Sequence, residues 1–181
     1  MKLQKLISKL EKHHKKKLDL SLGRTFNLLK KLGNPQDKLK NVVTVVGTNA
    51  KASMCYSLKS IINKAGHKTN LYTSPHLLSY TERYIFDDKE INEEDLIELL
   101  TGVEKTLADD NATLFEILTC AFLKHAENFR DNINIIEAGL FHQFDSTNVF
   151  KENLMTLIGV CLLYTSPSPR DATLSRMPSS A

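Results

Sequence analysis

The chain has 181 residues, of which 41% are hydrophobic and 25% charged, with a formal net charge of +3 and three cysteines. That balance excludes a collagen-like chain, a disulfide scaffold and a wholly disordered segment, and it suffices to bury one core. No stretch approaches the roughly 18 uninterrupted apolar residues of a membrane span, and the lysine-led N-terminus lacks the apolar core of a secretory signal, so a cytoplasmic protein is expected.

Residues 1–17 hold seven lysines and one glutamate, while 18–160 are mildly acidic. Basic charge confined to one short segment argues against a nucleic-acid partner, for which a stripe across the fold is expected. Leu3, Leu6, Ile7 and Leu10 recur at helical spacing between the lysines, predicting an amphipathic leading helix that docks on the domain rather than on a membrane or RNA. His13 and His14 are adjacent and point apart on a helix, so they make no metal pair. Cys55, Cys120 and Cys161 show no CxxC or Cys/His spacing, so neither a zinc site nor a disulfide framework is expected.

Asn41 to Val46 (NVVTVV) is a β-branched run of strand length, as a buried parallel strand requires. It runs into GTNAKAS (47–53), after which Met54, Leu58, Ile61, Ile62 and Ala65 recur at helical spacing and Gly66 supplies a stop. Strand, small-residue loop with one lysine, then helix is the order of a phosphate-binding loop. The helix N-terminus and loop amides offer donors to an anion, Lys51 adds a positive charge, and Ser53 adds a hydroxyl for Mg²⁺. The strict pattern GxxxxGK[ST] is not met, because Ala50 precedes the lysine and Ala52 separates it from Ser53. A plain strand-to-helix turn is the alternative, and a Cβ where φ is positive would cost about 1 kcal/mol.

Thr69 to Tyr72 reads as a second short strand, followed by TSPHLLSYTER (73–83), where His76 is read as a packing residue and Arg83 either pairs with Glu82 or faces the site. Asn92, ahead of Glu93, Glu94 and Asp95, caps an amphipathic scaffold helix carrying Leu96, Leu99, Leu100, Val103 and Leu107. Thr113 and Glu116 have capping-box spacing before Ile117, Leu118, Ala121 and Phe122, so Glu116 is either structural or a substrate contact. Ile133 to Glu137 reads as a buried strand, placing Glu137 at the carboxyl edge of a parallel sheet, where α/β folds bind ligands. Asp145 is either a turn residue or a substrate ligand. Met155 to Gly159 forms a further apolar strand, whose exposed edge invites aggregation.

GTNxKxS, then TSPH, then ER, in that order, resembles the signature of the folylpolyglutamate synthase and dihydrofolate synthase family, the folate branch of the Mur ligase superfamily. LDLSLGR (18–24) resembles that family's N-terminal pterin-contacting segment, TLFEILT (113–119) its TFFEVLT, and EAGLFHQFDSTNV (137–149) its EVGLGGRLDATNV. The resemblance covers about 140 residues, Leu18 to Gly159. It implies an α/β fold: a P-loop-type parallel sheet flanked by helices, the central ATPase domain of the Mur ligases, incomplete at its C-terminal side.

Carried over by position, the resemblance implies ATP phosphates at Gly47, Thr48, Asn49, Ala50, Lys51, Ala52 and Ser53, with Lys51 catalytic. It implies Mg²⁺ on Ser74 and Glu137, and a pterin substrate against Asp19, Leu20, Ser21, Leu22, Thr113, Leu114, Phe115, Glu116, Phe144, Asp145 and Ser146. The family's third metal-ligand histidine and its carbamylated lysine would lie beyond Val160. Two departures stand out: Ala50 and Ala52 replace glycines, and Phe141, His142 and Gln143 replace GGR.

The implied activity is an ATP-dependent ligase that joins L-glutamate to dihydropteroate or folate through an acyl phosphate. Its partners are small molecules, with no nucleic acid or membrane, and the full-length parent is expected to be monomeric. Rival readings are a Mur-type ligase for a peptidoglycan precursor, a noncatalytic nucleotide-binding module, and a nucleic-acid-binding protein led by the lysine helix. Cys161 to Ala181 (CLLYTSPSPRDATLSRMPSSA) has linker composition. It also resembles the in-frame translation of a sequencing-library adapter, so it is expected to be a disordered, non-native tail. The expected division is therefore a leading helix over 1–17, a ligase-like ATP-binding segment over 18–160 and the tail over 161–181, with the chain as written lacking ligase turnover.

Overall fold

The computed structural model describes residues 2–13, 22–108, 110–139 and 145–159. Five helices, α1 (Lys2–His13), α2 (Gly23–Lys31), α3 (Lys51–Lys64), α4 (Glu93–Leu107) and α5 (Leu114–Ala126), surround a six-stranded sheet among these residues. The strands are β1 (Val42–Gly47), β2 (Thr69–Tyr72), β3 (Tyr84–Phe86), β4 (Lys89–Glu90), β5 (Ile133–Glu137) and β6 (Met155–Gly159), ordered β4-β3-β2-β5-β1-β6.

Strands β2, β5, β1 and β6 run parallel; β1, β2 and β5 are largely buried, as inner parallel strands require, while the edge strand β6 is largely exposed. To the expected parallel sheet the chain adds, at one edge, the antiparallel strands β3 and β4. Asp87 and Asp88 both take positive φ, 49° and 69°, and close that hairpin. A two-residue turn with both φ values positive matches strand twist and normally carries Asn-Gly or Asp-Gly. Here Asp88 Oδ1 accepts from Thr69 N and Oγ1 at 3.0 and 2.7 Å, which holds an Asp-Asp pair in a conformation its composition does not advertise.

β1 begins one residue later than the sequence predicts because Asn41 has φ 54°, outside the strand region. Side chains alternate across the sheet, so each strand feeds two cores. Val42, Tyr72, Tyr84, Phe86 and Ile136 join the larger core, which α1, α2, α4 and α5 cover; Val45, Leu71, Ile85 and Ile135 join a smaller one beneath α3. In the larger core the Phe122 ring stacks at 5.1 Å on Tyr72 and 5.2 Å on Phe86.

Helix α1 puts Leu3, Ile7 and Leu10 into that core, and its Lys9 pairs with Glu104 of α4 at 2.9 Å. Helix α3 is different. Although its apolar residues recur at helical spacing, only Cys55 is buried, and Ile61 is 66% exposed. No described helix is long and apolar enough to cross a membrane. His14 and residues 161–181 lie outside the described residues.

Candidate functional site

The carboxyl ends of β1, β2 and β5 bring together three of the segments singled out in the sequence. After β1 the chain turns through the exposed Thr48, Asn49 and Ala50 into α3. Ala50 sits at the helix N-cap with φ 60°, the left-handed conformation for which glycine is the unstrained residue. No side chain caps α3, and its first turn carries no acidic residue. Its leading amides, together with the positive end of the helix dipole, therefore face solvent at Lys51, Ala52 and Ser53. Lys51 Nζ donates to Gly47 O at 3.0 Å, curling back over the loop.

The loop lies close over the sheet, and two glycines allow it. A Cβ on Gly47, where φ is 150°, would meet Gly159 O of β6 at 2.3 Å. A Cβ on Gly159 would meet Met54 Sδ of α3 at 2.8 Å and Asn49 O at 3.4 Å. A side chain at Gly47 would drive the loop off β6, whereas one at Gly159 would displace the end of the Met54 side chain.

Glu137 ends β5 and is 3% exposed. Its Oε2 accepts from the Ser74 amide at 2.8 Å, so the two residues matched to a metal site are in direct contact. Burial pushes the Glu137 carboxyl above the usual carboxylate range, against the opposing pulls of the Ser74 N–H, Lys51 and Arg83. Burial likewise pushes the neighbouring Cys55 thiol up to about 12, with Glu137 adding to the shift and Lys51 opposing it. Lys51, Arg83 and Ser74 thus converge on one buried carboxylate. Among the described residues no group of three or more His, Cys, Asp or Glu side chains is placed to hold a metal.

The 73–83 segment is braced from within. Glu82 accepts amide hydrogens from Leu77, Leu78 and Ser79 at 2.8 to 2.9 Å, and Ser79 caps the short 3-10 turn Tyr80–Arg83. Glu82 is therefore occupied by backbone. Arg83 instead donates from Nε to His76 Nδ1 at 2.9 Å and stacks over the Tyr80 ring at 5.0 Å, leaving its charge within reach of Glu137. Arg83 is therefore held by His76 and Tyr80 and is not paired with Glu82. His76 packs on Tyr80 at 4.1 Å, as expected of a packing residue.

A second cluster lies where α5 begins. The capping box is formed: Thr113 Oγ1 accepts from Glu116 N at 3.2 Å, and the Glu116 carboxylate accepts from Thr113 N. Both Glu116 oxygens also lie 3.3 Å from Arg24 Nε on α2. The carboxylate is filled by protein donors, which gives it the structural role of the two left open. Arg24, which the sequence analysis did not single out, is visible in retrospect as the arginine of LDLSLGR.

Of the two roles its sequence context left open, the structure shows Asp145 in the turn. Its Oδ1 accepts from Thr147 N at 2.9 Å and from Thr147 Oγ1, and its main-chain oxygen accepts from Asn148 N at 2.8 Å, which makes it a turn residue. Its Oδ2 has no partner among the described residues and faces Gly139, where a Cβ would come within 2.1 Å of it and 3.4 Å of Phe115 Cε1. Asp145 Oδ2 thus packs directly against Gly139 with Phe115 alongside, a contact that only glycine at 139 allows. Leu22 stands at the start of α2, and Thr113, Leu114 and Phe115 at the start of α5, all partly buried. Ser146 is 4% exposed and bonded inward. Asp19, Leu20, Ser21, Phe141, His142, Gln143 and Phe144 lie outside the described residues.

The sequence and the fold have counterparts in known proteins. No family model matches the chain. The dihydrofolate synthase/folylpolyglutamate synthase of Escherichia coli (strain K12) is 33% identical over 159 residues, 88% of this chain and 37% of that protein. The structure of E. coli FolC in complex with DHPP and ADP superposes with a TM-score of 0.79 at 33% identity, covering 86% of this chain and 37% of that one. The bifunctional folylpolyglutamate synthase/dihydrofolate synthase of Yersinia pestis CO92, complexed with AMPPNP and Mn ion, gives 0.79 at 29% identity, over 86% and 38% of the two chains. The chain spans a little over a third of the length of these relatives. By sequence and by fold, it belongs to the dihydrofolate synthase/folylpolyglutamate synthase family.

Proposed function

We propose that this chain is the nucleotide- and pterin-binding part of an ATP-dependent ligase that joins L-glutamate to dihydropteroate or folate. The observation that carries the reading is the pairing of an uncapped helix N-terminus, led by Lys51, with the buried Glu137 carboxylate beside Ser74. The first is an anion site and the second a cation site, as a nucleotide and its metal require. E. coli FolC bound to ADP and the Y. pestis enzyme bound to AMPPNP and Mn support the same assignment.

In this reading the ATP phosphates lie on the amides of Gly47 to Ser53, and Lys51 leaves Gly47 O to meet the terminal phosphate. Ser74 and Glu137 hold the divalent cation. A buried carboxylate with a raised pKa fits that role, because a cation removes the cost of its ionisation. When bound, the cation supplies charge compensation during phosphoryl transfer; the protein orients the carboxylate acceptor and keeps Lys51 at the charge that builds up. The pterin is read onto Phe115 and Asp145, the family-matched positions beside Gly139, with Asp145 Oδ2 accepting from its ring N–H groups. The substrate carboxylate takes the terminal phosphoryl group with release of ADP, and the amine of glutamate then displaces phosphate from the acyl phosphate to form the amide.

The enzyme so assembled is proposed to be cytoplasmic and monomeric, acting on small molecules alone. Glutamate-dependent ADP release by the gene product containing this chain tests the reading. It should respond to dihydropteroate or folate and not to a nucleotide-linked muramyl substrate; the opposite preference would move the protein to another branch of the superfamily.

A further inference from the structure

Three hydroxyls meet inside the larger core. Ser146 Oγ donates to Thr119 Oγ1 at 3.0 Å, and Tyr72 Oη lies 3.3 Å from the same oxygen. Tyr72, Thr119 and Ser146 are 0%, 1% and 4% exposed, so each hydroxyl depends on the others for its partner. Two ends of this relay are fixed. Tyr72 is the last residue of β2, and Thr119 rides on α5, which Tyr84 Oη ties to the sheet through Leu118 O at 2.9 Å. The third end, Ser146, belongs to the turn that carries Asp145. In the family pattern quoted above this position is alanine, so the hydroxyl link belongs to this chain's own sequence.

We propose that Thr119 and Ser146 are positioning residues, whose buried hydroxyl bond holds the 145–148 turn so that Asp145 Oδ2 stays against Gly139 beside Phe115. Neither residue needs to touch a ligand. The turn's internal bonds, from Thr147 to Oδ1 and from Asn148 to the Asp145 carbonyl, set its shape. The relay sets where that shape sits against α5 and Phe115. The ligand side of this proposal rests on the pterin reading above.

The test uses the 181-residue chain, with pteroate as the probe, and compares Thr119→Val, Thr119→Ser and Ser146→Ala with wild type. Pteroate affinity should fall about tenfold in T119V and in S146A, the equivalent of one lost hydrogen bond, and T119S should restore it. Amide hydrogen exchange at Thr147 and Asn148 should accelerate in T119V and S146A but not in T119S, while exchange in the central strands stays unchanged. Wild-type affinity and protection in T119V would overturn the proposal, as would a T119S variant no better than T119V. If the wild-type chain binds no pteroate, the pterin reading fails, and the exchange comparison between T119V and T119S still decides the relay.

Discussion

Helices α5 and α3 begin in opposite ways. At the start of α5, Thr113 and Glu116 close a capping box, and Arg24 from α2 is clamped onto the same carboxylate. The start of α3 has a strained alanine at its cap, no side-chain cap and no acidic residue in its first turn. The same asymmetry runs through the whole molecule. The α5 side of the sheet holds most of the core and the aromatic stack, whereas α3 buries Cys55 and leaves Ile61 and Tyr56 largely exposed. Orphan amides at a helix start are normally satisfied by the chain itself, as they are at α4 and α5. Where the chain leaves them open beside a lysine and two close-packed glycines is where the nucleotide phosphates are proposed to bind.

Three substitutions probe this contrast, from the largest expected effect to the smallest. Glu116→Ala removes the box and leaves Arg24 without its carboxylate, which should cost about 3 kcal/mol in urea denaturation; a loss below about 1 kcal/mol would show that α5 is held by packing alone. Ala50→Gly acts in the opposite direction. It relieves the left-handed strain and should raise stability by about 1 kcal/mol, whereas an equally large loss would mean that the loop relaxes without its ligand.

The third, Glu137→Gln, changes sign with conditions. A carboxyl whose folded-state pKa is raised opposes folding once it ionises, and that penalty grows as pH rises from the unfolded value through the folded one. The glutamine variant should therefore unfold at higher temperature than wild type at pH 7, and the gap should close as pH falls below about 4. Added Mn²⁺ or Mg²⁺ should stabilise wild type and leave the variant unmoved. A variant that gains as much from the metal would remove Glu137 from the cation site.

Much of this was legible in the sequence because it depends on local patterns. β2 and β5 run over the residues that their apolar runs predict, and the caps at Asn92 and Thr113 form from the side chains that their spacing names. What stayed hidden depends on residues distant in the chain. The Arg24 to Glu116 pair spans 92 positions, and neither residue alone announces the other. The hairpin at Asp87 and Asp88 lacks a glycine, and its bonds from Thr69 replace what composition fails to signal. Helix α3 shows the converse: its apolar spacing is clear, yet only part of that face finds a partner among the described residues. The motifs were readable in order, while the contact of Ser74 with Glu137 and the bond of Arg83 to His76 had to be seen in three dimensions.

Titration of the chain with Mg·ATP, beside the Lys51→Ala variant, addresses the central claim most directly. Wild type should bind with a saturable signal, be stabilised against heat, and show protection of the amides from Lys51 to Ser53. The variant should lose at least tenfold in affinity, in keeping with one charge-assisted contact to a phosphate. Equal affinity in the two proteins, or binding that leaves those amides unprotected, would contradict the assignment of the open α3 terminus as the phosphate site.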